Sequence, residues 1–172
     1  MNILGFYQCK RGSAAVEMAL VLPILLVLMF GAFEVGNYFL DSHLLAKAIR
    51  DGARYASRSL PLQDTCANTI ANVSTVRKNT QNIVTYGTLN PTKTDTPPLT
   101  GWTTQKVEVK FRCDKTGSPG GLYSSFSDGA PVVTVDIDPA NGIQYHSLFG
   151  DVGFDNTNLY LHASSEVPVM GL

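Results

Sequence analysis

The chain is expected to fold as an α+β protein, with one long N-terminal helix packed on a small antiparallel sheet. Three observations lead there. An apolar block runs uncharged for sixteen residues from Met18 to Phe33, and the twenty residues from Ala14 to Phe33 hold a single charge, Glu17. Beyond the block, apolar residues recur at the 3–4 spacing of an amphipathic helix. Much later, Lys106-Val-Glu-Val-Lys-Phe-Arg-Cys113 alternates strictly, and two more strand-like segments follow it. A helix first and strands afterwards is the order of an α+β architecture.

The apolar block sets the first element. Twenty helical residues rise about 30 Å, the thickness of a bilayer's hydrocarbon core. A membrane helix over about residues 14–38 is the reading. Lys10 and Arg11 stand just before it, and no basic residue follows until Lys47. The positive-inside rule then places residues 1–12 in the cytoplasm and the chain after about residue 38 outside. A secretory cleavage site needs small residues at two fixed positions past the apolar run. Ala32 has Phe30 two before it and Gly36 has Glu34, so the segment is expected to remain attached. Pro23 removes one backbone hydrogen bond within the helix, which membrane helices tolerate. Glu17 is the costly residue: a carboxylate in a membrane helix costs roughly 2.5–3.5 kcal/mol by insertion scales. It either snorkels toward the headgroups near the positive helix N-terminus or serves a function.

The helix is expected to continue to residue 60. Leu44, Leu45, Ala48, Ile49, Ala53 and Ala56 keep helical spacing, while Asp41, Lys47, Arg50, Asp51, Arg54 and Arg58 fall mostly on other faces. Ala48, Gly52 and Ala56 form a stripe of small residues that permits close approach of a packed partner. Gly52 costs about 0.8–1 kcal/mol relative to Ala in a helix interior, and it reads either as a glycine with a packing reason or as one that is merely tolerated. Pro61 ends the element.

Residues 61–172 form the second part. From residue 62 onward it carries seven basic and ten acidic residues, a net charge of −3. Asp64 or Thr65 could cap a short helix through Cys66–Lys78. Residues 87–104, rich in Thr, Pro, Gly and Asn, read as a loop, and so do residues 116–121. Val107, Val109, Phe111 and Cys113 share one face of a half-buried strand, and Pro131–Ile137 and Leu159–Val169 read as two more strands. Trp102, in the polar loop, is expected to cover the sheet rather than anchor a partner.

Composition and motifs exclude several function classes. Thirteen Lys+Arg against fourteen Asp+Glu leave a formal charge of −1, which argues against a dedicated nucleic-acid binder. No nucleophile elbow, zinc-protease, phosphate-loop or Cys-x-x-Cys motif occurs, so the chain is expected not to be an enzyme and to need no cofactor. His43, His146 and His162 are scattered singly and read as structural or surface residues. Asp136-x-Asp138 with Asn141-Gly142 is like a calcium loop, but the glycine is one place late and Ser147 stands where a bidentate Glu belongs. Asp151, Asp155, Asn156 and Asn158 make a second oxygen-rich cluster. Solvated turns account for both.

The order of basic leader, Gly12, four residues, Glu17 and apolar helix resembles the processing site of type IV pilins and pseudopilins. More closely, RGSAAVEMALVLPILLVLMFGAFEVGNYF followed by AIRDGARYASR resembles the TadE/TadF-like minor pseudopilins of tight-adherence (type IVc, Flp) pili. Glu17, Pro23, Glu34 and Arg50-Asp51-Gly52-Ala53-Arg54-Tyr55-Ala56 carry the likeness, over about residues 10–58. Met18 departs from it, since an aromatic residue would follow the glutamate. The resemblance implies a pilin-like fold and cleavage by a prepilin peptidase between Gly12 and Ser13, removing residues 1–12 as a leader. Glu17 would then be the fifth mature residue, and its carboxylate could pair with the new Ser13 ammonium of a neighbouring subunit. Such a pairing offsets the burial penalty only when subunits stack.

By the same resemblance, the protein lies in the bacterial inner membrane with its C-terminal domain in the periplasm. Its partners would be the peptidase, sibling pseudopilins, the major pilin, the inner-membrane assembly platform and the lipid bilayer. Loss of the leader would carry away Cys9 and leave Cys66 and Cys113, 47 residues apart. In an oxidising periplasm that pair is expected to be bridged rather than left as two free thiols. The competing reading is a signal-anchored periplasmic protein that binds a ligand or calcium and has no filament role.

Overall fold

The computed structural model describes residues 12–60, 73–114, 130–138, 142–150 and 158–170. Its first element, α1 (Ser13–Ser59), is one helix of 47 residues that includes Pro23. At 1.5 Å per residue it is about 70 Å long, far longer than a small domain needs. It stops because Leu60 precedes a proline, whose ring disfavours helical backbone in the residue before it. Leu60 is accordingly extended, at φ −100° and ψ 131°.

A second helix, α2 (Val73–Tyr86), follows. It extends the expected helix through Cys66–Lys78 by eight residues at its C-terminal end, and residues 66–72 of that expected helix lie outside the described residues. The reason is its burial pattern. Val76, Thr80 and Val84 recur every four residues and are buried, so the face that packs on α1 continues past Lys78. Asp64, Thr65 and Cys66 lie outside the described residues.

Strands β1 (Val107–Asp114), β2 (Ala130–Ile137) and β5 (Ser164–Pro168) form an antiparallel sheet in the order β1-β2-β5. A short pair, β3 (Ile143–Gln144) and β4 (Tyr160–Leu161), stands apart from it. The expected strand over 159–169 is thus two strands. Its halves pair with different partners: Leu161 lies opposite Ile143, whereas Ser164 lies opposite Asp136. Residues 162–163 carry the chain from one sheet to the other.

Register explains the layers. Val107, Val109 and Phe111 lie opposite Ile137, Val135 and Val133, and Val133 lies opposite Val167. That face packs against Leu45, Ile49, Ala53, Ala56 and Leu60 of α1. The other face carries ions, with Arg112 paired to Glu166 and Lys110 to Glu108 and Asp136. Such exposed pairs contribute little to stability. The free edge of β1 is covered by α2, whose Gln81 and Arg77 donate to the carbonyls of Val107 and Val109. Covering an edge strand in this way removes a template for unwanted pairing. Trp102 is buried in the core beside the sheet, at 2 % exposure, as a sheet-covering residue.

The small-residue stripe finds its partner within the chain. A Cβ built on Gly52 would stand 2.2 Å from Val84 Cγ2, so only glycine lets α2 lie this close to α1.

Candidate functional site

The candidate site is the half of α1 that leaves the domain. Between Val16 and Phe33 its apolar side chains are exposed all round, Val27 at 67 % for example. Further along the same helix Leu45 and Ile49 are fully buried. One continuous helix therefore presents two surfaces, one for a hydrocarbon solvent and one for a protein core. Its length and composition fit a single-pass membrane anchor.

Gly12 is the N-cap residue, without a side-chain cap, and an added Cβ there would meet nothing within 4 Å. The Gly12–Ser13 junction is thus sterically open. Glu17 follows one turn later on the exposed part of α1. Cys113 lies near the end of β1, opposite Pro131, while Cys66 lies outside the described residues.

A collar fastens the domain to the helix where its two surfaces meet. The Glu34 carboxylate accepts the backbone N–H of Leu148 at 3.1 Å, and the Glu34 carbonyl accepts the Tyr145 hydroxyl at 3.2 Å. Asn37 Nδ2 donates to that same hydroxyl oxygen at 3.0 Å. The Tyr145 ring meets Tyr38 edge-on at 5.4 Å, and Phe149 packs on Phe30 with ring centroids 5.0 Å apart. Burial, ahead of the neighbouring hydrogen bonds and charges, pushes the Tyr145 phenol above its ordinary range, so it stays a neutral donor. Burial likewise raises the Asp41 carboxyl, because a charged form is disfavoured where water is withdrawn. Sequence reasoning noted Glu34 only as part of a likeness and did not find the collar. Its one local signal is a carboxylate at the end of the apolar run.

Among the described residues no group of three or more His, Cys, Asp or Glu could hold a metal ion. Asp136 is drawn to Lys110 across the strands, and the Ser147 hydroxyl accepts the Phe149 N–H. Asn141, Asp151, Asp155 and Asn156 lie outside the described residues. His43, His146 and His162 are exposed and separate.

Fold and site together define a class: a small α+β domain carried on one long helix that fits a membrane anchor. Residues 12–54 match the family model of TadE-like proteins. That stretch begins at the open Gly12 junction, contains Glu17, Pro23 and the helix side of the collar, and ends within α1. The α+β domain beyond α1 lies outside the match. No curated protein and no solved structure matches the chain.

Proposed function

We propose that this chain is a minor pseudopilin that takes part in assembly or initiation of a tight-adherence type IV pilus. The observation that carries the reading is the TadE-like match over residues 12–54, a family that suggests association with such pili. Cleavage between Gly12 and Ser13 frees an ammonium at Ser13, and the Glu17 carboxylate of an adjoining subunit receives it. The exposed apolar half of α1 supports this reading, since the same surface can face lipid before assembly and other helices after it. Orientation follows Lys10 and Arg11, which keep the leader in the cytoplasm and send the domain to the periplasm. The protein acts by contact rather than catalysis, its partners being a prepilin peptidase, sibling pseudopilins, the major pilin and the assembly platform. A Cys66–Cys113 bridge completes the mature domain, as an even pair of cysteines in an oxidising compartment favours.

The test is the N-terminus of membrane-extracted protein, read by mass spectrometry with and without Gly12→Leu. A mature chain that starts at Ser13, and a variant that keeps Met1, are the expected results. A native chain that keeps Met1 in cells with an active prepilin peptidase would overturn the proposal in favour of a signal-anchored domain.

A further inference from the structure

The collar places part of the domain below the top of the anchor. Lys10 and Arg11, or the Ser13 ammonium once the leader is removed, fix the inner end of the apolar span, because a charge within the hydrocarbon is costly. Counting from Ala14, a core about 30 Å thick ends near Phe33. Phe30 therefore lies three residues inside that limit, about 4.5 Å. The Phe149 ring is 5.0 Å from the Phe30 ring, which brings it to within about one helical turn of that level. Next to it, Leu148 is 59 % exposed although its N–H is tied to Glu34. Sliding the span outward, to cover the exposed Val35, Phe39 and Leu40, only deepens the loop. Sliding it inward draws that charge into the core.

We propose that residues 146–149 form a membrane-inserted loop, with Leu148 and Phe149 seated in the acyl chains of the outer leaflet beside α1. The occupant of this apolar surface is lipid, because the surface is continuous with the exposed apolar flank of the anchor. Tyr38, partly exposed on α1, occupies the headgroup level, where aromatic rings with a polar tip are enriched in membrane proteins, while Tyr145 behind it is buried in the domain core. A depth of a few ångströms is that of interfacial apolar segments. The Glu34–Leu148 hydrogen bond then has a second role. It satisfies a loop N–H that water reaches poorly at this level. The domain is held by two attachments to the bilayer, helix and loop, and its tilt about the anchor is restricted. The inference rests on α1 being a membrane helix, so the experiment tests both.

Single tryptophans placed by Leu148→Trp and by Val27→Trp in the full chain, reconstituted in phosphatidylcholine vesicles, provide the readout. Both sites are exposed, so either ring is accommodated without repacking, and the unsubstituted protein supplies the Trp102 blank. The emission added at 148 is expected to be quenched by lipids brominated near the carbonyl end of the chain and shielded from acrylamide in water. The emission added at 27 is expected to be quenched by deeply brominated lipids. Quenching at 148 by acrylamide but not by bromolipid, with 27 quenched as expected, would overturn the loop while leaving the anchor intact. Shielding of 148 from both quenchers would assign the patch to protein, such as a second copy, and would also overturn it. Loss of bromolipid quenching at both sites would remove the membrane reading itself.

Discussion

Asp41 and Glu34 are carboxylates placed two turns apart on α1, and their surroundings differ. Glu34 accepts a backbone N–H from the loop at Leu148. Asp41 is held above the ordinary 3.8 by burial. The sign follows from linkage: a folded-state pKa above the unfolded one adds stability below the unfolded value, which is lost as pH rises through the folded value. The charge on Asp41 therefore works against the fold at neutral pH. Asp41→Asn is expected to leave stability at neutral pH equal or slightly higher and to flatten its fall as pH rises from about 4. Thermal melting of the two full-length proteins in one detergent across that range checks this. A variant that melts lower at neutral pH would show that the Asp41 carboxylate makes a favourable contact.

The helices and strands owe their limits to their neighbours. Helix α2 lies close to α1 because Gly52 offers no Cβ, and Val84 Cγ2 fills the space at 2.2 Å from where one would be. Gly52→Ala gains about 1 kcal/mol in helix propensity but overpacks at a cost of about 1–3 kcal/mol. Net destabilisation is expected, with most of it restored when Val84→Ala is added. A double-mutant cycle by denaturant unfolding should show a coupling of about 0.5–3 kcal/mol, and additive effects would mean that the helices are not in contact there. Glycine at position 52 is legible in the sequence as a packed or a merely tolerated residue. Its partner is not, because nothing local distinguishes a neighbouring subunit from a helix later in the same chain. The break at residues 162–163 was equally hidden. Residues 159–169 read as one strand, and only hydrogen bonding to Ile143 on one side and Asp136 on the other divides it.

At the level of the molecule, the anchor and the domain are joined by one helix, and the domain by the proposed bridge. Closing a 47-residue loop between Cys66 and Cys113 is worth roughly 3–4.5 kcal/mol in the chain-entropy model. Membrane-extracted protein denatured without reductant is therefore expected to show no reactive thiol in its mature form. Cys113→Ser is expected to lower the melting temperature and expose one thiol, Cys66. Two reactive thiols in the native mature chain would refute the pairing.

The apolar span of the helix, the Gly12–Glu17 spacing and the alternation of β1 are all legible from residues near one another in the chain. They depend on transfer free energy and on side-chain direction, and both are set within one or two turns. The collar is different. Glu34 and Leu148 are 114 positions apart, and neither has a local pattern that names the other. Such a pair forms only once the sheet packs on α1 and brings residues 146–149 toward the level of Phe30. Loop closure and packing, not periodicity, decide which distant groups meet, so that contact became visible only when the chain was folded.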